Sequence, residues 1–325
     1  MINSMIPSDW LEQAYERIAP YIKKTPLTYD QENDLYLKWE NHQVTGSFKI
    51  RGALNKVLSL QNWELEQGLV TASAGNHGQG LAWAGKMKNA PVLVFASEHA
   101  SPNKIQAMRE LGAEIRLVAG GYSEAECAGI DFARKTNATW VSPYNDGMVI
   151  AGQGTIGLEV LEDHPDPSPS VWLVPAGGGG LVSGIGCALQ GVKPKPNLVA
   201  VQSKASPFLH AIFHQGTQDN VVELPSLADG LAGPVEDGSV TIPMAINYVD
   251  DFILVSEDDI RKTIQYAWNR YHECIEGSAA VSLAAILSGR VTSRPALVVL
   301  TGGNINPPEH AQIVNNETIG TFQEK

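Results

Sequence analysis

The run Thr45-Gly46-Ser47-Phe48-Lys49-Ile50-Arg51-Gly52-Ala53 sets one lysine behind an aromatic residue. It lies between a Gly-Ser turn and the start of a predicted helix, so its neighbours' backbone can hold it in place. A lysine held beside an aldehyde forms a Schiff base, which is covalent catalysis by an amine. Most isolated lysines are solvated surface charges, and Lys49 alone would be read that way. Three further segments change the weighting.

The first is Ser73-Ala74-Gly75-Asn76-His77-Gly78-Gln79-Gly80, between an apolar segment and a helix. Small residues at a helix N-terminus leave backbone N–H groups free, and those suit a carboxylate. Asn76 adds an amide able to donate to a phenolate-like oxygen. The plain alternative is a tight turn with a helix cap. The second is Pro175-Ala176-Gly177-Gly178-Gly179-Gly180-Leu181, between strand and helix. Four glycines let the backbone curl around a tetrahedral anion, and the helix adds its positive end. The pattern lacks the spacing of a dinucleotide fingerprint and the Lys-Ser/Thr of a P-loop, so a single small phosphate is the better ligand. The third is Thr301-Gly302-Gly303-Asn304, at the carboxyl end of a strand, where ligands of open α/β sheets collect. A threonine hydroxyl there can bond a ring nitrogen; the plain alternative is an ordinary loop exit.

Short apolar runs alternate with longer amphipathic segments, which predicts an α/β protein. Strands are expected at Pro91–Ala96, Glu114–Val118, Val171–Val174, Leu198–Val201, Phe252–Val255 and Leu297–Leu300. Helices are expected at Pro102–Leu111, Ser123–Lys135, Ala151–Leu161 and Glu257–Cys274, the last capped by Ser256 with Asp259 as its box partner. His164 to Ser170 reads as a loop. There is no repeat, low-complexity tract or charged linker. Two domains would therefore be two α/β lobes interleaved in sequence, with a cleft between them.

The chain has 325 residues and a net charge of −12, which argues against a nucleic-acid partner. No apolar run is long enough to span a membrane, and Met1 to Trp10 shows no signal-peptide pattern. Cys127, Cys187 and Cys274 are odd in number and far apart, so a disulfide framework or zinc site is not expected. A reducing, cytoplasmic location follows. Neither a nucleic acid nor a membrane is an expected partner.

Together, the four segments resemble the fold-type II pyridoxal 5'-phosphate enzymes, in their serine/threonine dehydratase branch, which includes serine racemase. The resemblance begins near Ile22-Lys23-Lys24-Thr25-Pro26-Leu27 and ends at Thr301–Asn304. It also takes in Ile150-Ala151-Gly152-Gln153-Gly154-Thr155-Ile156 and Ala228-Asp229-Gly230-Leu231-Ala232. It implies a large cofactor-binding domain from residues 1–67 and 145–325 and a small domain from 68–144. By resemblance, Lys49 is the Schiff-base lysine and Phe48 packs on the cofactor ring. Asn76 bonds the phenolic oxygen, and Gly177, Gly178, Gly179, Gly180 and Leu181 hold the phosphate. Thr301 faces the pyridine nitrogen, and Glu276 lies near the ring. Ser73, Ala74, Gly75, Asn76 and His77 receive the substrate carboxylate.

The departures from the family pattern sharpen the expectation. Ile50-Arg51-Gly52-Ala53 after the lysine differs from the synthase relatives, which favours elimination over replacement. Ala74 stands where racemases carry a serine base, so racemisation should be poor. Gln202 and Phe208 stand at carboxylate positions of a divalent-cation site, so no metal is expected. Thr301 replaces the more usual serine or cysteine. A neutral hydroxyl there leaves the ring nitrogen unprotonated and favours prompt loss of a β-hydroxyl. The chain stops soon after Asn304, without the regulatory extension of biosynthetic dehydratases. The activity that the resemblance implies is deamination of L-threonine or L-serine to a 2-oxo acid and ammonia, with a small amino-acid substrate and a second copy in a homodimer as the partners. The alternatives are a 3-hydroxyaspartate dehydratase, with Arg51 as a candidate for the second carboxylate; a racemase or a threonine synthase-like enzyme; and an inactive cofactor-binding regulator.

Overall fold

The computed structural model describes residues 6–7, 9–163, 165–166 and 168–315. Within the predicted loop, His164 and Pro167 lie outside these residues, as do Met1–Met5 and Ser8 of the N-terminal segment. Among the described residues there are ten strands: β1 (Leu27–Asp30), β2 (Leu35–Trp39), β3 (Leu69–Ala72), β4 (Val92–Ser97), β5 (Glu114–Val118), β6 (Thr139–Trp140), β7 (Val171–Pro175), β8 (Asn197–Ser203), β9 (Asp251–Val255) and β10 (Ala296–Leu300). They form a four-stranded sheet, ordered β5-β4-β3-β6, and a six-stranded sheet, ordered β1-β2-β10-β7-β8-β9. All pairings are parallel except β1 with β2. Parallel sheets are covered on both faces, so their strands read as apolar runs. On β7, Trp172 and Val174 enter one core while Val171 and Leu173 enter the other.

The six expected strands and four expected helices are present, with ends shifted by a few residues. The largest consequence of a shifted end is at Glu257–Tyr271. Its cap is as read: Ser256 Oγ accepts from the Asp259 N–H at 3.2 Å, and the Asp259 carboxylate accepts from the Ser256 N–H at 3.0 Å. Its end comes three residues before Cys274, because His272 turns into the left-handed region at φ 57°. That early stop frees the segment to Glu276 to run back into the cleft.

The helix Gly147–Glu162 stands between two others, Lys49–Ser59 and Gly180–Ala188. Glycines let backbone meet backbone there. A Cβ on Gly152 would stand 2.5 Å from the Arg51 carbonyl oxygen, and one on Gly154 would stand 2.7 Å from that of Gly184. Gln153 adds a bond, its Oε1 accepting from the Gly52 N–H at 3.1 Å. The helix that starts with Lys49 and the helix that follows the four glycines are thus set by one central helix.

Candidate active site

Lys49 is the first residue of its helix, directly after Phe48. Backbone bonds join this entry to the exit of β10. The Phe48 N–H donates to the Thr301 carbonyl at 3.0 Å, and the Gly303 N–H donates to that of Gly46 at 2.9 Å. A cleft of about 460 Å³ opens between the two sheets. Phe48, Lys49, Ser73–His77, Gly177–Leu181, Glu276 and Thr301 all line it. The residues expected to hold cofactor and substrate are therefore at one place, whereas Arg51, Gln202 and Phe208 do not line the cleft.

Lys49 Nζ donates to the Pro143 carbonyl at 3.0 Å. Burial lowers its pKa from the usual 10.5 to about 8, against the opposing pull of Glu276. A large fraction of such an amine is neutral near pH 8, which a nucleophile or base requires. Burial also lowers His77 to about 3, helped by Lys49. Its Nε2 faces the Val141 carbonyl at 3.1 Å and must therefore carry the proton, while Nδ1 has no partner. His77 is a neutral imidazole here.

Asn76 begins the helix Asn76–Lys88. Its amide nitrogen donates to Glu276 Oε1 at 2.6 Å, and its Oδ1 accepts from Asn304 at 2.8 Å. Asn304 is rooted in turn on the Thr45 carbonyl at 2.9 Å. The free donor expected of Asn76 is thus engaged with Glu276. Burial raises Glu276 to about 7, with Asp229 adding to the rise, while Lys104, Asn76 and Lys49 oppose it.

The carboxylate turn also differs in detail from its reading. Ser73 Oγ accepts from the Gly75 N–H at 3.1 Å and the Gly78 N–H at 3.0 Å. Two donors are therefore spent on shaping the turn, and the N–H groups of Ala74, Asn76 and His77 have no recorded acceptor among the described residues. With its oxygen accepting twice, the Ser73 hydroxyl keeps its proton to donate.

The glycine loop provides the test of fit for a phosphate. The N–H groups of Gly177 to Leu181 have no acceptor among the described residues, although Gly179 to Leu181 are buried and Gly177 and Gly178 half-buried. Buried donors without partners are rare, and a run of them at a helix start is a cradle for an anion. Gly179 holds a φ of +88°, which favours glycine. A Cβ on Gly178 would stand 2.5 Å from the Tyr144 ring, and one on Gly177 would stand 3.0 Å from Leu231 Cα. The glycines thus admit the neighbouring wall as well as an anion.

A lysine with a depressed pKa faces this cradle across the cleft. The family model described as pyridoxal-phosphate dependent enzyme matches residues 15–302. The chain belongs to this family. It is 37% identical over 318 residues to the L-threonine ammonia-lyase of Thermotoga maritima, covering 96% of this chain and 79% of that one. It is 36% identical over 315 residues to the catabolic L-threonine dehydratase of Escherichia coli, covering 94% and 95%. Among solved structures, maize serine racemase aligns with a TM-score of 0.86 at 29% identity, over 96% of this chain and 97% of that one. Serine racemase of Dictyostelium discoideum aligns with a TM-score of 0.83 at 32% identity, over 93% and 99%. The fold is that of the fold-type II members of this family.

Three features of this site escaped the sequence. Pro143 and Tyr144 lie in an undistinguished segment after β6. Lys104 looks like any helical surface lysine. Arg51, a candidate in sequence, points elsewhere. It is fully buried in a network with Glu40, at 2.7 and 2.8 Å, and Glu159, at 2.6 and 2.9 Å. Lys38 completes it, donating to Glu159 at 2.6 Å. Gln202 gives its Oε1 to the His210 N–H at 2.9 Å, and Phe208 is buried in the apolar core.

Proposed function

We propose that this protein is a pyridoxal-phosphate-dependent ammonia-lyase that removes water from L-threonine, and from L-serine, to give the 2-oxo acid and ammonia. One observation carries the reading: a lysine amine with pKa about 8 faces an unpartnered N–H cradle and a carboxylate turn in one cleft. The names borne by the relatives support threonine as the substrate.

Gly177 to Leu181 would hold the phosphate through their N–H groups. Phe48, Thr301 with its neutral hydroxyl, and the Asn76–Glu276 pair would hold the ring. When bound, the cofactor supplies the aldehyde that captures the amino group and the sink for electrons released at Cα.

The residues of the chain do the rest. The N–H groups of Ala74, Asn76 and His77, with the Ser73 hydroxyl, take the substrate carboxylate. Lys49, free and neutral, removes the Cα proton, and the Pro143 carbonyl steadies the resulting ammonium. The β-hydroxyl leaves as water, its extra proton balanced by the one that Lys49 takes from Cα. Hydrolysis of the released enamine returns that water, so threonine ends as 2-oxobutanoate and ammonia.

Arg51 is locked away, and the cleft is lined by more carboxyl groups than lysines, so a second substrate carboxylate finds little welcome. That weighs against 3-hydroxyaspartate. Ala74, exposed on the turn, offers no proton for the opposite face of Cα, which weighs against racemisation. The domain division at 67/68 and 144/145, a homodimer and a cytoplasmic location belong to the same proposal. The three cysteines, all free, accord with a reducing compartment.

An ammonia-release screen over β-hydroxy amino acids tests the reaction. Threonine and serine should lead the panel, and purified, folded Lys49→Ala should release no ammonia from either. Substantial 2-oxo acid production by that variant would remove Lys49 from its role.

A further inference from the structure

One charged pair on the wall of the cleft has no part in the chemistry above. Lys104 comes from the first turn of the helix Pro102–Glu110, on the side of the four-stranded sheet. Asp229 comes from the short turn Asp229–Leu231 on the other side, held where the Gly230 N–H donates to Ser278 Oγ at 2.9 Å. Their side chains form an ion pair across the cleft. Beside it, Asn103 donates to Asn306 Oδ1 at 2.8 Å, so the same helical turn grips the opposite wall twice.

The position of the Lys104 stem matters more than the pair itself. A Cβ built on Gly75 would stand 3.3 Å from Lys104 Cδ and 3.7 Å from Nζ. The lysine therefore lies against the Ser73–His77 turn at Gly75, with its ammonium on the same side.

The charges around the cleft leave few alternatives. Among the described residues that line it, Lys49 and Lys104 are the basic ones, against Glu124, Glu223, Asp229 and Glu276. Lys49 is committed to the cofactor, His77 is neutral and Arg51 points away. An amino acid entering the cleft must give up the hydration of its carboxylate. Neutral N–H donors replace part of that hydration. A hydrogen bond with ionised donor and acceptor is roughly twice as strong as a neutral one.

We propose that Lys104 is the cation that reads the substrate's α-carboxylate, held over the carboxylate turn by Asp229 from the opposite wall; this rests on reading the cleft as an amino-acid site. Amines without a carboxylate gain nothing from this arrangement.

The test compares two inert ligands by titrating the visible absorbance of the holoenzyme. L-Alanine has no β-hydroxyl to lose, and ethylamine is alanine without its carboxylate. Lys104→Met should weaken alanine by about ten- to a hundredfold, the worth of one hydrogen bond to a charged group, and leave ethylamine within about twofold. Lys104→Arg should recover most of the loss, and Asp229→Asn should show a smaller one. Equal losses for both ligands, or none for alanine, would overturn the assignment. If Lys104→Met does not fold, Lys104→Gln carries the same comparison. A wild type that binds alanine yet releases no ammonia from any β-hydroxy amino acid would fail the proposed reaction and leave Lys104 standing.

Discussion

The amide nitrogen of Asn76 stands 2.6 Å from a carboxylate oxygen of Glu276, 200 residues along the chain. The bond joins the turn that faces the substrate to the segment beyond the helix Glu257–Tyr271. It also keeps a buried acid at the edge of the cleft, where burial holds its proton up to about pH 7.

The first prediction follows from that proton. The folded protein binds it more tightly than the unfolded chain, whose glutamates titrate near 4.5. Between those values the native state holds more protons. Its stability is therefore fully present below about pH 4.5 and is lost as pH rises through about 7. The difference is worth on the order of 3 kcal/mol. Urea unfolding of the cofactor-free protein across this window should show the slope, and Glu276→Gln should flatten it. An unchanged slope in the variant would place the titrating group elsewhere. Lys49 runs the other way: with its pKa lowered to about 8, stability should recover as pH rises from there towards 10.5.

Arg51→Met should cost about 3–5 kcal/mol, as expected when one partner of a buried ionic network is removed. It leaves Glu40 and Glu159 with Lys38 as their one remaining buried cation. Arg51→Met with Glu40→Met restores the balance and should be milder than the single change. Chemical denaturation decides it. A single variant within about 1 kcal/mol of wild type would mean that water reaches the network.

Gly178→Ala should weaken retention of the cofactor by about tenfold, the lower range of an overpacking cost. The added methyl meets the ring of Tyr144, whose hydroxyl is tied to the Glu236 N–H at 2.9 Å, so the loop must yield. Dialysis followed by absorbance reads the loss. Tyr144→Leu in the same chain should restore part of it. Full retention by the single variant would show that the tyrosine moves freely.

The sequence disclosed what rests on residue type and order. Lys49, the four glycines and the Ser73–His77 turn announce themselves because few residue types can do their work. The limits of β5 were legible because Gly112 and Gly120 bracket it. β2 was not, since Lys38 interrupts its apolar run; the charge is accommodated because Glu159 and the Thr25 carbonyl accept hydrogen bonds from its ammonium. β6 is two residues long and carries no periodicity. Lys104 was hidden for a related reason. Its helix shows an ordinary polar face, and nothing local marks which polar residue overlooks a cleft. Arg51 erred in the opposite sense, since closeness to Lys49 along a helix says nothing about direction. Two helical residues further on, a side chain has turned by about 200°.

The contacts through Gly52, Gly152, Gly154 and Gly184 have one more consequence. Where main chain rests on main chain, the spacing between two elements is fixed by the thickness of the polypeptide. The distance from the amine to the anion cradle is thus calibrated by a gauge that exchanging neighbouring side chains leaves untouched. The rest of the cleft wall can vary freely, and new substrate preferences can be tried there without resetting the machine tool that cuts the bond.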